Sequence, residues 1–195
     1  MVLHNSRHVF SGVRAQPIVA ISSNLIVIGG LPGTGKTSLA TGLARTLDAM
    51  HVRVDTIEQA LRTSTMAGDA IGAAGYVVAY GVAADNLRLG RIVVADCVNP
   101  LASTRAAWRA VAKRAGVALV DVEVICSDVS EHRRRVESHI SDIAGLPTPT
   151  WSEVTAREYE CWAEEHVVID TAHASVEAGV VKLHALLLAR ERAVR

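Results

Sequence analysis

From residue 24 onward the chain switches between two hydrophobic rhythms. The apolar run "NLIVI" reads as a first strand over residues 24–29, and the stretch after it carries Leu39, Leu43 and Leu47 at four-residue spacing, the signature of one helix face. "HVRVDT" alternates as a second strand ending at Asp55, "IEQALR" opens a short helix, and "AAGYVVAYGVAADNLRLG" reads as a longer helix closed by Gly90. "RIVVAD" is a third strand. A helix capped by Ser103 and running to about Gly116 precedes a fourth strand in "VALVDVEVIC". "SDVSEHRRRVESHI" gives a helix with an acidic start and a basic middle, whereas Gly145, Pro147 and Pro149 in "SDIAGLPTPT" end it and predict a mobile loop before a helix from Ser152. "HVVID" is a fifth strand, and residues 174–193 form a last helix. Strands and helices in alternation predict an α/β fold: a parallel five-stranded sheet with helices on both faces.

Composition narrows this picture. A chain of 195 residues, half of them apolar, suits one domain, with residues 24–195 as its body and 1–23 as an N-terminal arm. Twenty basic and twenty acidic side chains cancel, so no overall field draws the protein to nucleic acid or an anionic membrane. No run approaches the roughly 20 apolar residues of a membrane span, and the first 24 residues show no signal-peptide pattern. Cys97, Cys126 and Cys161 are widely spaced without a C-x-x-C pair, which predicts small buried apolar residues and reduced, cytoplasmic thiols rather than a disulfide frame or a zinc site.

Chemistry concentrates after the first strand. In "GGLPGTGKTSLATGLA", Gly30, Gly35, Lys36 and Thr37 fit G-x-x-x-x-G-K-[ST] between a strand and a helix. Such a loop turns successive backbone N–H groups toward an anion, so Gly30, Gly33, Thr34, Gly35, Lys36, Thr37 and Ser38 are expected around a nucleotide's phosphates. Lys36 reaches the β- and γ-phosphates and the Thr37 hydroxyl ligates Mg²⁺. The dinucleotide fingerprint G-x-G-x-x-G starts at Gly33 and Gly35 but fails at Ser38, although Asp55 lies at the spacing of a ribose-binding acid.

Ligands in open α/β sheets bind beyond the carboxyl ends of the strands, which singles out further residues. Asp96, closing "RIVVAD", is a shortened Walker B candidate that holds Mg²⁺ directly or through water; the plain alternative is a cap on the next turn. Asp55 is either a general base that accepts or orients an acceptor hydroxyl's proton, or a helix N-cap. Arg62 is an acceptor anchor or a solvated arginine. In the run Arg133, Arg134, Arg135 successive residues stand about a hundred degrees apart, so one or two face the nucleotide unless the whole face is solvated and paired with Glu131 and Glu137. His132 and His139 read as surface residues.

Together these motifs resemble the small P-loop kinases of the adenylate-kinase-like branch. Most similar is the AAA-labelled set that takes in zeta-toxin-like and polynucleotide-kinase-like proteins, chloramphenicol phosphotransferase and gluconate kinase. "GLPGTGKTSLA", "VDTIEQALR", "VVADCVNP" and "SDVSEHRRRVES" with "PTPTWSEV" follow in the family's order over roughly residues 24–170. The resemblance implies a P-loop NTPase fold with a small lid at about 139–152, ATP with Mg²⁺, and transfer of the γ-phosphate to a hydroxyl or phosphate of a small-molecule acceptor. It places Asp55 at the acceptor, Arg135 with Arg133 on the lid helix, and the loop of Asp170, Thr171 and Ala172 at the adenine. His139 stands where many relatives carry a lid arginine. Two other functions compete: a nucleotide-gated switch without an acceptor, and a polynucleotide 5′-kinase, for which neutral charge and seven aromatic residues offer little. No N-K-x-D motif points to a GTPase. Segments around 57–85 and the lid, which would build the acceptor pocket, carry no motif; Tyr76, Tyr80 and Trp151 line it or pack, and no pattern encodes an oligomeric state.

Overall fold

A computed structural model describes residues 24–64 and 71–193, so the expected arm over 1–23 lies outside the described residues. Five strands, β1 (Asn24–Gly29), β2 (Met50–Arg53), β3 (Val93–Asp96), β4 (Ala118–Ile125) and β5 (Val167–Asp170), form one sheet in the order β2-β3-β1-β4-β5. Every pairing is parallel, as the alternation of elements predicts. From β1 the chain first builds toward one edge and then toward the other. The carboxyl end of β1 is therefore a switch point, where a crevice opens between diverging connections.

Successive side chains of β1 supply both cores. Leu25 and Val27 pack with Val93, Ala95 and Cys97 against helices α2 (Val54–Thr63), α3 (Ala74–Arg88) and α4 (Ala102–Ala115), which contribute Val54, Ala83, Leu87, Trp108 and Val111. Ile26 and Ile28 face the other way, toward α1 (Lys36–Leu47) and α7 (Val176–Ala193). There Leu39 and Leu43 of the four-residue series are buried, each contributing roughly 1.5–3 kcal/mol, and Leu47 packs at the margin. Two short helices, α5 (Val129–Ser138) and α6 (Trp151–Thr155), sit past β4.

Boundaries shift in two informative places. The second strand stops at Arg53 rather than Asp55, because Val54 already opens α2 and, with Ile57, meets the same core as Val52 at helical spacing. Asp55 is thus neither a strand end nor an N-cap; it lies in the first turn of α2, whose N-cap is Arg53. Ser103 lies inside α4 and caps nothing, since the helix opens at Ala102 and the Ala102 N–H donates to Glu160 Oε2 at 2.6 Å. The helix after the proline loop does begin near Ser152, at Trp151, with Thr150 and Glu153 forming a reciprocal capping box.

Glu160 belongs to a strap between α6 and β5 that the hydrophobic pattern does not reveal. Its anchor is Arg105, fully buried, whose Nη1 donates to the Asn99 and Pro100 carbonyls at 3.3 Å and whose Nη2 donates to the carbonyls of Glu160 at 3.2 Å and Cys161 at 3.1 Å. The guanidinium also stacks on Trp162 at 4.8 Å. Cys97 and Cys126 are buried as expected, but Cys161 is exposed, because its carbonyl rather than its thiol meets Arg105. Arg105→Ala strands several carbonyls at once and is expected to cost at least about 3 kcal/mol in urea unfolding, with Arg105→Lys recovering only part. A loss below about 1 kcal/mol would mean that water replaces the guanidinium without penalty.

Candidate active site

The loop between β1 and α1 shapes the site, and its form is imposed from below. Gly30 has φ 149°, and a Cβ there would overlap the Val124 carbonyl oxygen, so the chain passes β4 only as glycine. Gly33, at φ 82°, lies against Val136 and His132 of α5, with 2.5 Å between a notional Cβ and Val136 Cγ2. The Gly30 N–H donates to the Val98 carbonyl, and the Thr34 hydroxyl donates to the Leu31 carbonyl at 2.8 Å. Gly35 then ends the loop as N-cap of α1. The helix start presents amide hydrogens and the positive end of its dipole to whatever anion the loop holds.

Two contacts hold the loop from outside it. Thr171, just past β5, donates its hydroxyl to the Thr34 carbonyl at 2.7 Å, and the same oxygen accepts from Arg135 Nη1 at 2.9 Å. Asp170 fixes that turn by accepting from the N–H groups of Ser127 and Ala172, which holds its carboxyl below the ordinary range. His132 is buried, not a surface residue: its Nε2 meets the Pro32 carbonyl at 2.8 Å, so this nitrogen carries the proton, and its ring packs edge-on against Trp151. Its neighbours carry charge, but its position on α5 turns it under the loop.

A cavity of about 1150 Å³ opens over the loop. That lies just above the ~300–1000 Å³ usual for a small-molecule pocket. Gly33, Gly35, Lys36, Thr37 and Ser38 line one side; Asp55, Glu58, Arg62 and Tyr76 line another; Arg135, His139 and residues 146–149 close it. Lys36, Thr37, Asp55, Arg62 and Arg135 of the sequence-derived set are thereby brought together. Gly30 and Thr34 support the loop from beneath without lining the cavity, and Thr171 does the same. Lys36 is buried and forms no ion pair among the described residues.

Arg133 is not brought to the cavity. Its Nε donates to Glu137 at 2.7 Å on the exposed face of α5, so the paired-face alternative holds for it and for Arg134, which is paired with Glu131. Only Arg135 turns inward, a consequence of the hundred-degree step between helical neighbours. Glu131 accepts from both Arg134 and Arg135, and those hydrogen bonds pull its carboxyl down to about 2. Of the candidate aromatics, Tyr76 lines the cavity and its hydroxyl accepts from the Asn99 N–H at 3.0 Å. Burial pushes the phenol of Tyr76 upward, so it stays neutral. Tyr80 packs edge-on against Trp108.

Asp96 lies beside the loop, in register with Ile28 of β1 and Arg53 of β2. It is 1% exposed, and neither carboxylate oxygen has a hydrogen-bond partner; the nearest basic groups are the His51 ring at 3.5 Å from Nε2 and the Arg53 guanidinium at 3.9 Å from Nε. A buried carboxylate without a donor is costly, so its two orphaned oxygens call for a partner, a water or an ion. A hard divalent cation with its waters fits a carboxylate donor of this kind, and the Thr37 hydroxyl belongs to a residue that lines the cavity, which Asp96 itself does not.

Sequence reasoning missed Arg53 and the way residues 139–150 attach to it. Arg53 Nη1 and Nη2 form a two-pronged pair with Asp142 at 2.7 and 2.8 Å, and Gln59 donates to the Ala144 carbonyl at 3.3 Å. The loop is therefore fastened to β2 and α2 across the cavity. Alternation alone marks Arg53 as an ordinary strand residue; a basic residue directly before a helix at a strand's carboxyl end was the available signal.

The chain belongs to the AAA domain family, which matches residues 25–157. Its fold is the P-loop NTPase fold shared with solved kinases. The APS kinase of Mycobacterium tuberculosis, in complex with AMPPNP and APS, is 20% identical, with a TM-score of 0.61 over 85% of this chain and 98% of that one. A gluconokinase of Sinorhizobium meliloti is 20% identical, with a TM-score of 0.58 over 86% and 97%. Kti12 of Chaetomium thermophilum, in complex with ADP-AlF3, is 21% identical, with a TM-score of 0.60 over 83% and 97%. No curated protein sequence matches significantly. Among the described residues no helix is long and apolar enough to cross a membrane.

The Arg53 pair holds the Asp142 carboxyl below its ordinary value of 3.8. A lowered carboxyl pKa means that the pair contributes fully above that ordinary value and is lost as pH falls through the lowered one. Asp142→Ala is expected to speed amide exchange of residues 139–150 at neutral pH while sheet amides stay protected. In the unmutated chain the Arg53 Nη resonances should shift only below about pH 3.8. Unchanged exchange in the variant would show that Gln59 and packing hold the loop without the ion pair.

Proposed function

We propose that this chain is a cytoplasmic kinase that moves the γ-phosphate of MgATP to a small-molecule acceptor. One observation carries the reading: an unpaired, buried Lys36 at the head of a phosphate-type loop shares one cavity with the carboxylate of Asp55. Phosphoryl transfer is mostly positioning and charge stabilisation, and these residues supply both. The loop amides and Lys36 hold the β- and γ-phosphates, and Arg135, anchored by Glu131 and Thr171, presents its guanidinium where charge gathers during transfer. Asp55, in the first turn of α2, takes or orients the proton of the acceptor hydroxyl. Thr37 and Asp96 are the residues that would hold Mg²⁺, which supplies charge neutralisation of the phosphates when bound.

Residues 139–150 act as the lid in this reading, closing the acceptor side and excluding water that would otherwise consume ATP. Arg133 has no part in catalysis. Thr171 serves by holding Thr34 and Arg135 rather than by touching adenine. The polynucleotide-kinase alternative is weakened because Tyr80 and Trp151 are used in packing, leaving Tyr76 as the aromatic that lines the cavity, too little for a stacking track.

The purified protein is to be incubated with Mg²⁺, γ-labelled ATP and a small-molecule extract, with Lys36→Ala as control. A labelled product is expected that the control lowers by about 10²–10³-fold. Asp55→Asn should reduce transfer by about 10²-fold with ATP affinity little changed, and Asp96→Asn should raise the Mg²⁺ concentration needed for half activity. Label released only as free phosphate, unaffected by any extract, would replace the kinase with a nucleotide-hydrolysing switch.

A further inference from the structure

The charged side chains that line the cavity divide into those already held and those left open. Arg53 is held by Asp142 through two hydrogen bonds, Arg62 by Glu58 at 3.2 Å, and Arg135 by Glu131 and Thr171. Among the described residues, the side chains of Lys36, Asp55 and Arg157 form neither a hydrogen bond nor an ion pair. Lys36, at the head of the loop, is the open charge for the nucleotide. Asp55 and Arg157 are left for whatever fills the rest of the cavity.

Arg157 stands open for a structural reason. It follows α6, four residues beyond Glu153, the spacing at which a glutamate and an arginine on one helix ordinarily pair. Glu153 is occupied instead: its Oε2 accepts from the Thr150 N–H at 2.7 Å and from the Thr150 hydroxyl at 2.9 Å, within the capping box. Glu58, the other carboxylate that feels the Arg157 charge, accepts from Arg62. The Arg157 guanidinium is thus exposed to the cavity with its donors free. It also belongs to the acceptor side, because Glu58 stands three residues from Asp55 on the same face of α2, whereas Lys36 and Arg135 sit at the phosphate loop.

We propose, resting on the kinase reading, that the acceptor is an alcohol that also carries a carboxylate or phosphate group, and that Arg157 is the specificity-determining residue that takes this anionic group while Asp55 takes the hydroxyl. A planar guanidinium meets either anion through two parallel N–H donors, which fixes the direction of the molecule as well as its place. The two open charges have opposite signs, so they orient an acceptor with its anion toward α6 and its hydroxyl toward α2. A cationic acceptor is repelled by Arg157 and finds no open carboxylate apart from the one its hydroxyl needs. The acceptor hydroxyl oxygen forms the new bond to the γ-phosphorus, the bond from that phosphorus to the β,γ-bridging oxygen breaks, ADP leaves with the electron pair, and the hydroxyl proton passes to Asp55.

The test separates a small-molecule extract by ion exchange into cationic, neutral and anionic pools. Glucosamine and glucose are added as probes to the first two, and gluconate and glucose 6-phosphate to separate portions of the third, which tells a carboxylate from a phosphate. Each pool is offered with Mg²⁺ and γ-labelled ATP to the intact chain, to Arg157→Ala and to Arg157→Lys, with thermal melts to confirm that both variants fold. Labelled product is expected chiefly from the anionic pool. Arg157→Ala should raise the amount of that pool needed for half-maximal labelling by about ten- to a hundredfold while the KM for ATP holds, and Arg157→Lys should restore part of the loss. Label arising chiefly from the neutral or cationic pool overturns the proposal while leaving the kinase standing. A raised KM for ATP in Arg157→Ala, with the acceptor requirement unchanged, assigns Arg157 to the nucleotide and overturns it too, as does a variant that behaves like the intact chain. No labelled product from any pool overturns the kinase reading and this proposal with it.

Discussion

A phosphate-binding loop made of backbone amides has few side chains with which to hold its own shape, and the architecture answers that constraint. Gly30 and Gly33 let the chain pass within contact of β4 and α5, and those neighbours are what keep it open. His132 takes the Pro32 carbonyl, Thr171 takes the Thr34 carbonyl, and the Val98 carbonyl takes the Gly30 N–H. Carbonyls pulled downward and outward leave the remaining amides facing the cavity, where a bound anion meets them without reorganisation. Loop, α5 and the turn after β5 therefore work as one unit.

That unit explains why Arg135 and not Arg133 belongs to the site. The residue that braces the loop, His132, fixes the rotation of α5, and with the rotation fixed the helical step decides which arginine turns inward. Arg135 then contacts Thr171 twice, so the loop's brace and the cavity's guanidinium share an anchor. Glu131 completes the geometry by holding Arg135 from the other side, at 2.7 Å. Displacing any of the three would move the loop as well as the charge.

Much of this was legible in the chain. The five strands, the four-residue leucine series, the loop motif and the carboxylate of Asp96 follow from local pattern, because each depends on residues close in sequence. The rest depends on partners far apart. Arg105 looks like a solvated helix arginine until the strap of Glu160 and Cys161 folds over it, more than fifty residues away. His132 reads as exposed because its neighbours are charged, and Asp55 reads as a strand end because "HVRV" keeps period two up to the residue where the helix takes over. In each case a tertiary contact overrode a sound local expectation, and two of the three lie in or under the candidate site.

Arg53 joins the strand end at Asp96 to the loop over the cavity. It sits in register with Asp96 at the strand end, and its Nε approaches that carboxylate to 3.9 Å while its Nη groups hold Asp142 on the far loop. One guanidinium thus lies between a buried carboxylate with orphaned oxygens and the segment that closes the cavity. A cation placed against Asp96 would satisfy those oxygens and repel the neighbouring guanidinium, pressing it toward Asp142. Charge added against Asp96 and the hold on residues 139–150 would then meet in a single side chain.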